Sequence, residues 1–382
     1  VETRFRVRPA PIRTDLQGFT VDTLGLWSNL KSTTSIAQFE YGFDYYHDEV
    51  DSFSTASAIQ GPVADDAAYD LAGIYLQGIR DIAAKLDFAL GGRYQYAAAS
   101  AGSVRDPVTT LRTSLSDDWH AAVGFARLRW KIQPDRLTWH SGVSQGFRAP
   151  NLSDLTRFDT ARSSEQEIAA PGLKPEHYLT WETGLSYQHT RFQADLSGYY
   201  TRIDNQIVRF PTGAITAGGD TIVTKANVGD GYVHGVEFSA ALDLTSAWTV
   251  FGNLAWLEGQ VDTFPTAAAL IRREYLDRMM PFTGEIGIRW HSANDKWWTE
   301  SVMMMAAKAD KLSTRDTTDS QRIPPGGTPE YAVWHWRGGW RINHRFNTSV
   351  AIENILDEDY RIHGSGQNMP GRNFVLELRA SF

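Results

Sequence analysis

The chain of 382 residues contains no cysteine, which excludes disulfide scaffolds, thiol chemistry and Cys-ligated zinc. It has no basic excess either. Its 37 Lys and Arg stand against 45 Asp and Glu for a net charge of −8, which argues against nucleic acid as a partner. Apolar runs last only a few residues, far short of the roughly 20 that a membrane helix needs. The sequence begins Val1-Glu2-Thr3-Arg4, with neither an initiator Met nor an apolar signal segment, as expected of a processed chain or of part of a longer protein. Proline is sparse at 15 residues against 32 Gly, and 13 Trp, 15 Tyr and 18 Phe are too many for a disordered chain. That combination suits many strands joined by turns.

Period-2 alternation marks about fifteen candidate strands. They lie near 18–30, 33–47, 68–80, 84–98, 117–132, 136–147, 177–188 and 190–205. The series continues near 230–243, 247–259, 281–292, 296–309, 330–343, 346–355 and 372–382. Phe39, Tyr41, Phe43 and Tyr45 face away from Gln38, Glu40, Gly42 and Asp44. Ile286, Ile288 and Trp290 oppose Glu285, Gly287 and Arg289, and Phe374, Leu376 and Leu378 oppose Asn373, Val375, Glu377 and Arg379.

The connections alternate strictly in length. Tight ones fall at 30–33, 133–135, 245–247, 292–295 and 343–345; long ones fall at 48–67, 100–116, 148–176, 206–229, 260–281, 310–329 and 356–371. Such parity puts every short turn at one end of an antiparallel sheet and every long loop at the other. Outer-membrane barrels are built this way, with apolar-out, polar-in strands. The pattern therefore predicts an all-β, transmembrane antiparallel β-barrel. The strands run to ten residues or more, against the usual five or six of a sandwich. Trp119, Trp130, Trp139, Trp248 and Trp298, near strand ends, suit the aromatic girdles at the two membrane interfaces. The alternative is a soluble or surface-attached all-β ligand-binding or adhesion protein.

Catalytic signatures are missing. The ten His are scattered, and no GxSxG, Walker loop or Gly-rich dinucleotide turn occurs. We therefore expect no enzyme, no resident metal and no cofactor.

Several stretches, taken in order, resemble the C-terminal two-thirds of the barrel of a TonB-dependent outer-membrane receptor. They are Gly146-Phe147-Arg148-Ala149-Pro150-Asn151-Leu152, Leu173-Lys174-Pro175-Glu176, Trp181-Glu182-Thr183-Gly184-Leu185, and Asn227-Val228-Gly229 with His234-Gly235-Val236-Glu237. Glu353-Asn354-Ile355-Leu356-Asp357-Glu358-Asp359-Tyr360 and the last strand ending at Phe382 complete the set. The resemblance implies about the last 15 strands of a 22-stranded barrel, with the N-terminal plug and first strands absent from residues 1–382. Residues 1–8 would then be the tail of the preceding strand.

Most of the shared residues read as structural. Gly146 ends a strand where the chain leaves the sheet in the Phe147-Arg148-Ala149 stretch, Pro150 blocks its continuation, and Arg148 ties the loop base to lumen carboxylates. Gly235 permits a bend or a close neighbour, and Glu237 then faces the lumen. Asn354 and Asp357 close local turns through side-chain-to-backbone bonds before Tyr360.

The resemblance further implies active uptake of a scarce ligand, by default a ferric siderophore, with cobalamin, haem or a glycan as the other cargoes of the family. The haem box is not matched, since Ala170-Pro171-Gly172-Leu173 stands at its second half and no His lies between Asn151 and Glu176. Partners would be outer-membrane lipid, the TonB complex reached through the plug, and the β-barrel assembly machinery, which reads the C-terminal strand and Phe382. Ligand contacts are expected in three loops, from Arg157, Asp159 and Arg162, from Arg315, Asp316 and Arg322, and from Arg361, His363 and Gln367. Arginine offers a planar fork to the carboxylates of an anionic chelate.

Overall fold

The computed structural model describes residues 2–9, 12–162 and 164–381, with side chains from Asp15 onward except at 160–163. The side chain of Arg162, and Phe382 as a whole, lie outside the described residues. Strands β1 (Glu2–Pro9), β2 (Ile12–Thr33), β3 (Gln38–Ser54), β4 (Asp65–Ala83), β5 (Leu86–Arg105), β6 (Arg112–Gln133) and β7 (Leu137–Arg148) form an antiparallel meander. A folded insertion follows, with helix α1 (Leu152–Thr156) and short strands β8 (Asp159–Arg162) and β9 (Glu165–Glu167). The meander resumes with β10 (Glu176–Gln188), which pairs back to β7, then β11 (Phe192–Ile215), β12 (Thr221–Asp243) and β13 (Trp248–Thr263). Past the short β14 (Arg272–Tyr275) come β15 (Thr283–His291) and β16 (Trp297–Ala306). Helix α2 (Thr314–Thr318) sits in the next loop, before β17 (Tyr331–Arg341), β18 (Phe346–Glu353) and β19 (Asn373–Ala380).

Residues opposite each other across an antiparallel pair share a face, so the registers trace one face from strand to strand. Tyr41–Leu76, Ile74–Tyr94, Ala126–Val143, Val143–Trp181, Trp181–Tyr200, Val236–Trp256 and Gly252–Ile286 lie on it. It continues through Ile286–Met303, Met303–Trp334, Trp336–Ile352 and Val350–Leu376. This face is apolar and exposed across the sheet, with Ile286 at 50% and Leu376 at 67% exposure. The other face carries paired charge. Arg93 forks onto Asp44 with both bonds at 2.7 Å, Arg127 lies 3.3 Å from Glu182, and Glu300 holds both Arg289 and Arg337. A greasy exterior and an ion-paired interior are the two faces of a membrane barrel wall.

The long–short parity holds, but its origin differs in part from the expectation. Segment 206–229 is not a long loop. Strands β11 and β12 run 24 and 23 residues and turn at 216–220, and segment 100–116 shrinks likewise to a turn at 106–111. A strand tilted about 45° crosses the hydrocarbon in about 9–11 residues. The surplus must therefore stand above the membrane as an extended rim. Longer connections remain at 55–64, 149–175, 264–282, 307–330 and 354–372.

Two girdle residues also move. Trp119 is buried on the polar face, where its indole N–H donates to the Leu173 carbonyl at 3.0 Å. Trp298 shares the polar face with His291 and Gly339, and its neighbour Trp297 faces outward. Alternation shows that a strand has two faces; only register shows which face meets lipid. The outward girdle consists of tryptophans directly opposed near the short turns: Trp130–Trp139, Trp248–Trp290 and Trp297–Trp340.

Candidate functional site

The segment after β7 turns onto the polar face at the long-loop end. It packs α1 (through Leu152 and Leu155) with Ala169, Ala170 and Leu173 on the lumen-side residues Val50, Ala67, Ala97, Ala99, Ala101 and Trp119. The run of alanines on β5 leaves the room that this packing needs. Strand β9 pairs in parallel with Thr221–Val223 of β12, so the insertion is fastened along its length.

Arg148 is its anchor. Its Nε and Nη2 reach the two Glu176 oxygens at 2.7 and 2.6 Å, and its Nη1 reaches Asp154 at 2.7 Å. Asp154 closes a capping box with Asn151 at the start of α1 and also receives Lys225 at 2.9 Å. Burial pushes the Asp154 carboxyl up, but Lys225 and Arg148 outweigh it and hold the group below the usual carboxylate range. Lys225 lies 3.5 Å from Glu167, and Glu167 lies 3.4 Å from Arg157. Arg157 also approaches Asp159 at 4.0 Å, and Asp159 accepts from Gln17 at 3.2 Å. Arg157 and Asp159 thus stand inside the network that holds the insertion.

A second group forms where three loops meet. Arg278, from loop 264–282, donates its backbone N–H to both oxygens of buried Asp316 at 3.2 and 3.1 Å. Its guanidinium reaches Asp319 at 3.2 Å, and Arg322 reaches the same oxygen at 3.1 Å. Burial raises the Asp319 carboxyl, while Arg322 and Arg278 together bring it below the ordinary range. The Arg278 and Arg322 side chains are 40% and 49% exposed and that of Asp319 only 19%, so the arginines are the more open members of this group. Gly364 and Gly366 lie against the Arg278 and Arg322 stems, close enough that a Cβ would meet them at 3.2 Å. Both glycines also have φ near +80°, a conformation side chains resist. Loop 264–282 links this group to the first, since Arg209, paired with Glu165, donates to the carbonyls of Phe264 and Thr266.

His363 is 7% exposed, with Nδ1 at 2.8 Å from the Thr328 hydroxyl and no partner for Nε2 among the described residues. Burial lowers its pKa; Asp316 opposes that shift and Arg278 adds to it. A histidine depressed in the fold gives stability that is complete above its unfolded value of about 6.5 and is lost as pH falls below it. Hydrogen exchange in 307–330 and 354–372 should therefore accelerate below about pH 6.5, and His363→Gln should remove that step. An unchanged pH profile in the variant would show that another group controls the loops.

The remaining sequence-marked residues fall as follows. Asn354 is buried at φ +51°, accepts from Glu358 N–H at 2.8 Å and donates to Glu358 and Pro370 carbonyls, while Asp357 accepts from Arg372 N–H at 2.7 Å. Both close turns, as expected. Tyr360 packs on Tyr331 with ring centroids 4.8 Å apart. A Cβ on Gly235 would meet the Tyr199 hydroxyl at 2.7 Å, and Glu237 lies on the polar face opposite Ser197. Phe147 faces outward against His177, and Ala149 and Pro150 are buried under the insertion. Arg361 donates to Asn368 at 2.8 Å, and Arg315 to Asp277 at 2.9 Å. Gln367 gives its carbonyl to Ser365. Sequence reading missed Arg278 and Asp319, which carry no motif; only the mixed charge of loops 264–282 and 307–330 hinted at them. Among the described residues no group of three or more His, Asp or Glu is placed to hold a metal ion.

A continuous exposed apolar face, an ion-paired inner face and loops gathered at one rim define a β-barrel of the outer membrane. The family model of the TonB-dependent receptor-like β-barrel matches residues 4–355, and the chain belongs to that family. It is similar to the vitamin B12 transporter BtuB of Photobacterium profundum, at 25% identity over 57% of this chain and 30% of that protein. It is also similar to the ferric enterobactin receptor of Pseudomonas aeruginosa, at 23% identity over 72% of this chain and 41% of that protein. The chain thus spans well under half the length of these curated relatives. Among solved structures, the copper transporter OprC superposes over 100% of this chain and 60% of its own, with TM-score 0.79 and 17% identity. The siderophore receptor PiuA of Acinetobacter baumannii gives TM-score 0.72 at 13% identity, covering 97% of this chain and 57% of its own. These structural likenesses show the fold. The relatives are receptors and transporters of the outer membrane, and that is where this chain resides.

Proposed function

We propose that these residues form the ligand-capturing part of a TonB-dependent receptor that takes up a ferric siderophore across the outer membrane. The observation that carries the cargo class is the pair of half-exposed arginine side chains, Arg278 and Arg322, sharing the single carboxylate of Asp319 at the rim. Each keeps donors free, and together they offer the planar, cationic surface that an anionic chelate requires. Arg361 and His363 lie on the adjoining loop and belong to the same ligand side in this reading. Arg157 and Asp159 hold the folded insertion. The names of several relatives, among them the ferric enterobactin and catecholate siderophore receptors, support the same cargo class. Cobalamin is the second reading, favoured by the similarity to the vitamin B12 transporter.

Energy would enter from TonB through a plug, and the assembly machinery would insert the barrel by its last strand. Among the described residues β1 is bonded only to β2 and β19 only to β18, which leaves two edges that lipid does not tolerate. This supports reading 1–382 as the C-terminal part of a 22-stranded barrel.

Replacing Arg278 and Arg322 together by Ala in the full receptor should weaken binding of ferric enterobactin, used as the probe, by roughly 10–100-fold, the range for one to two charge-assisted hydrogen bonds. Cyanocobalamin binding, if present, should be untouched. Full-strength binding of the ferric probe to the double variant, at equal barrel abundance, would remove the proposed capture site.

A further inference from the structure

Cations outnumber carboxylates on the polar face of β15–β19 near the short turns. On β3–β10 the lumen arginines Arg93 and Arg127 each have a carboxylate, Asp44 and Glu182. On β15–β17, Arg289 and Arg337 must share Glu300. Closer to the turns, Arg341 stands opposite Asn347 and Asn347 opposite Arg379, so two arginines flank one amide across three adjacent strands. Lys296 and Arg345 adjoin this row on the same face. Arg341 N–H bonds to the Lys296 carbonyl at 2.8 Å, and Ser381 N–H to the Arg345 carbonyl at 2.9 Å. None of the four cations has an ion-pair partner among the described residues. The two carboxylates at hand are engaged elsewhere: Glu377 accepts from the Ser349 hydroxyl at 3.2 Å, and Asp295 faces His291 at 3.1 Å.

The next row on this face runs Trp298, Gly339, Ser349 and Glu377, each opposite the one before. Gly339 is needed there, because a Cβ would strike the Trp298 indole that lies across it. Trp298, Arg341, Asn347, Ser349, Glu377 and Arg379 line one hollow. It combines an exposed indole, two guanidiniums without carboxylate partners and an amide donor. Two arginines alone would suit any carboxylate; an indole beside them suits an anion that carries a ring. Short turns lie on the periplasmic side of such barrels, so the hollow faces the periplasmic end of the lumen. The same strands join loops 264–282, 307–330 and 354–372, which place Arg278 and Arg322 at the opposite end of this wall.

We propose that this hollow is a second anion site, where an aromatic anionic chelate of the catecholate class is held at the periplasmic end of the lumen before release. The inference rests on capture of such a cargo at the rim. Arg341 and Arg379 fork onto the oxygens of the chelate, Asn347 donates between them, and a catechol ring lies on Trp298. Glu377, in the adjoining row, repels the same anion. The site is therefore weaker than the one at the rim, and cargo can leave it.

Saturation binding of ferric enterobactin, as the probe, to the purified full-length receptor counts the sites. The wild type should take up two equivalents, the second weaker than the first. Arg341→Gln with Arg379→Gln should weaken the second by roughly 10–100-fold and leave the first unchanged. Arg341→Lys with Arg379→Lys, which keeps the charge and loses the fork, should weaken it too, and serves if the Gln pair fails to give a heat-modifiable barrel. Trp298→Leu should weaken the second equivalent alone, whereas Trp297→Leu, on the outward face, should change neither. Arg278→Ala with Arg322→Ala should do the reverse and weaken only the first. A first equivalent indifferent to that change would remove the rim reading and leave this site standing. Fewer than two equivalents in the wild type, or a second that survives the loss of Arg341 and Arg379, would overturn the site. A single equivalent together with lower thermal stability of the Gln pair would show instead that these arginines hold a carboxylate from another part of the receptor.

Discussion

Arg148→Ala will release the 149–175 insertion from the barrel mouth while leaving the membrane-embedded sheet folded. The guanidinium satisfies both oxygens of Glu176 and one of Asp154, and those carboxylates are almost wholly buried. Removing one partner of a buried pair leaves uncompensated charge and costs about 3–5 kcal/mol. Two features pull this case toward about 3 kcal/mol: the Arg148 side chain is itself partly exposed, and Lys225 continues to hold Asp154. The loss falls mainly on the insertion, because backbone pairing holds the strands and only the end of the β7–β10 ladder, where Arg148 faces Glu176, is touched. Limited proteolysis of the refolded receptor should therefore open new cleavage in 149–175 with heat-modifiable mobility preserved. Adding Glu176→Gln should restore much of the protection by removing the orphaned charge. Protection equal to wild type in Arg148→Ala would mean that the hydrophobic contacts of Leu152 and Leu155 alone hold the insertion.

Arginine on the outward face will be the other large loss. Ile286 lies five residues from the end of β15 and is flanked by Gly252 and Met303, so it sits well inside the hydrocarbon band. Leu376 occupies a similar depth on β19, opposite Val350. Ile286→Arg or Leu376→Arg should each cost about 2–4 kcal/mol of folding free energy in vesicles. Substituting the inward neighbours Glu285 or Glu377, whose partners are Asn253 and Ser349, should cost much less. Equal losses on the two faces would contradict the orientation of the whole wall.

Much of this wall was legible because membrane strands impose a period on the sequence, and the period survives reading without any partner strand. Ile286, Ile288, Leu376 and Leu378 could be assigned to the apolar face from alternation alone. What alternation could not settle was which interface or face an isolated aromatic serves: Trp119 and Trp298 read as strand-end residues, yet β6 begins seven residues before Trp119 and the registers turn both inward. The rim was hidden for another reason. Pro211, Gly213 and the run Thr216–Gly219 read as loop, and only the pairing of Val208 with Ala226 and Phe210 with Thr224 shows strand above the membrane. At the mouth, Arg148, Asn354 and Asp357 were readable because their partners are close in sequence or set by the strand exit. Arg278 was not, since its partners Asp316 and Asp319 come from a loop about forty residues away and only the folded rim brings them together.

The central claim is that this chain is an outer-membrane barrel wall with its long loops outside, and cysteine labelling tests it most directly. Ser164 is exposed at the tip of the insertion, and Asp135 is exposed in the tight turn between β6 and β7 at the opposite end. In intact cells carrying the full receptor, Ser164→Cys should react with an impermeant maleimide, and Asp135→Cys should react only after the outer membrane is permeabilised. Labelling of Asp135→Cys with protection of Ser164→Cys would invert the topology and contradict the account.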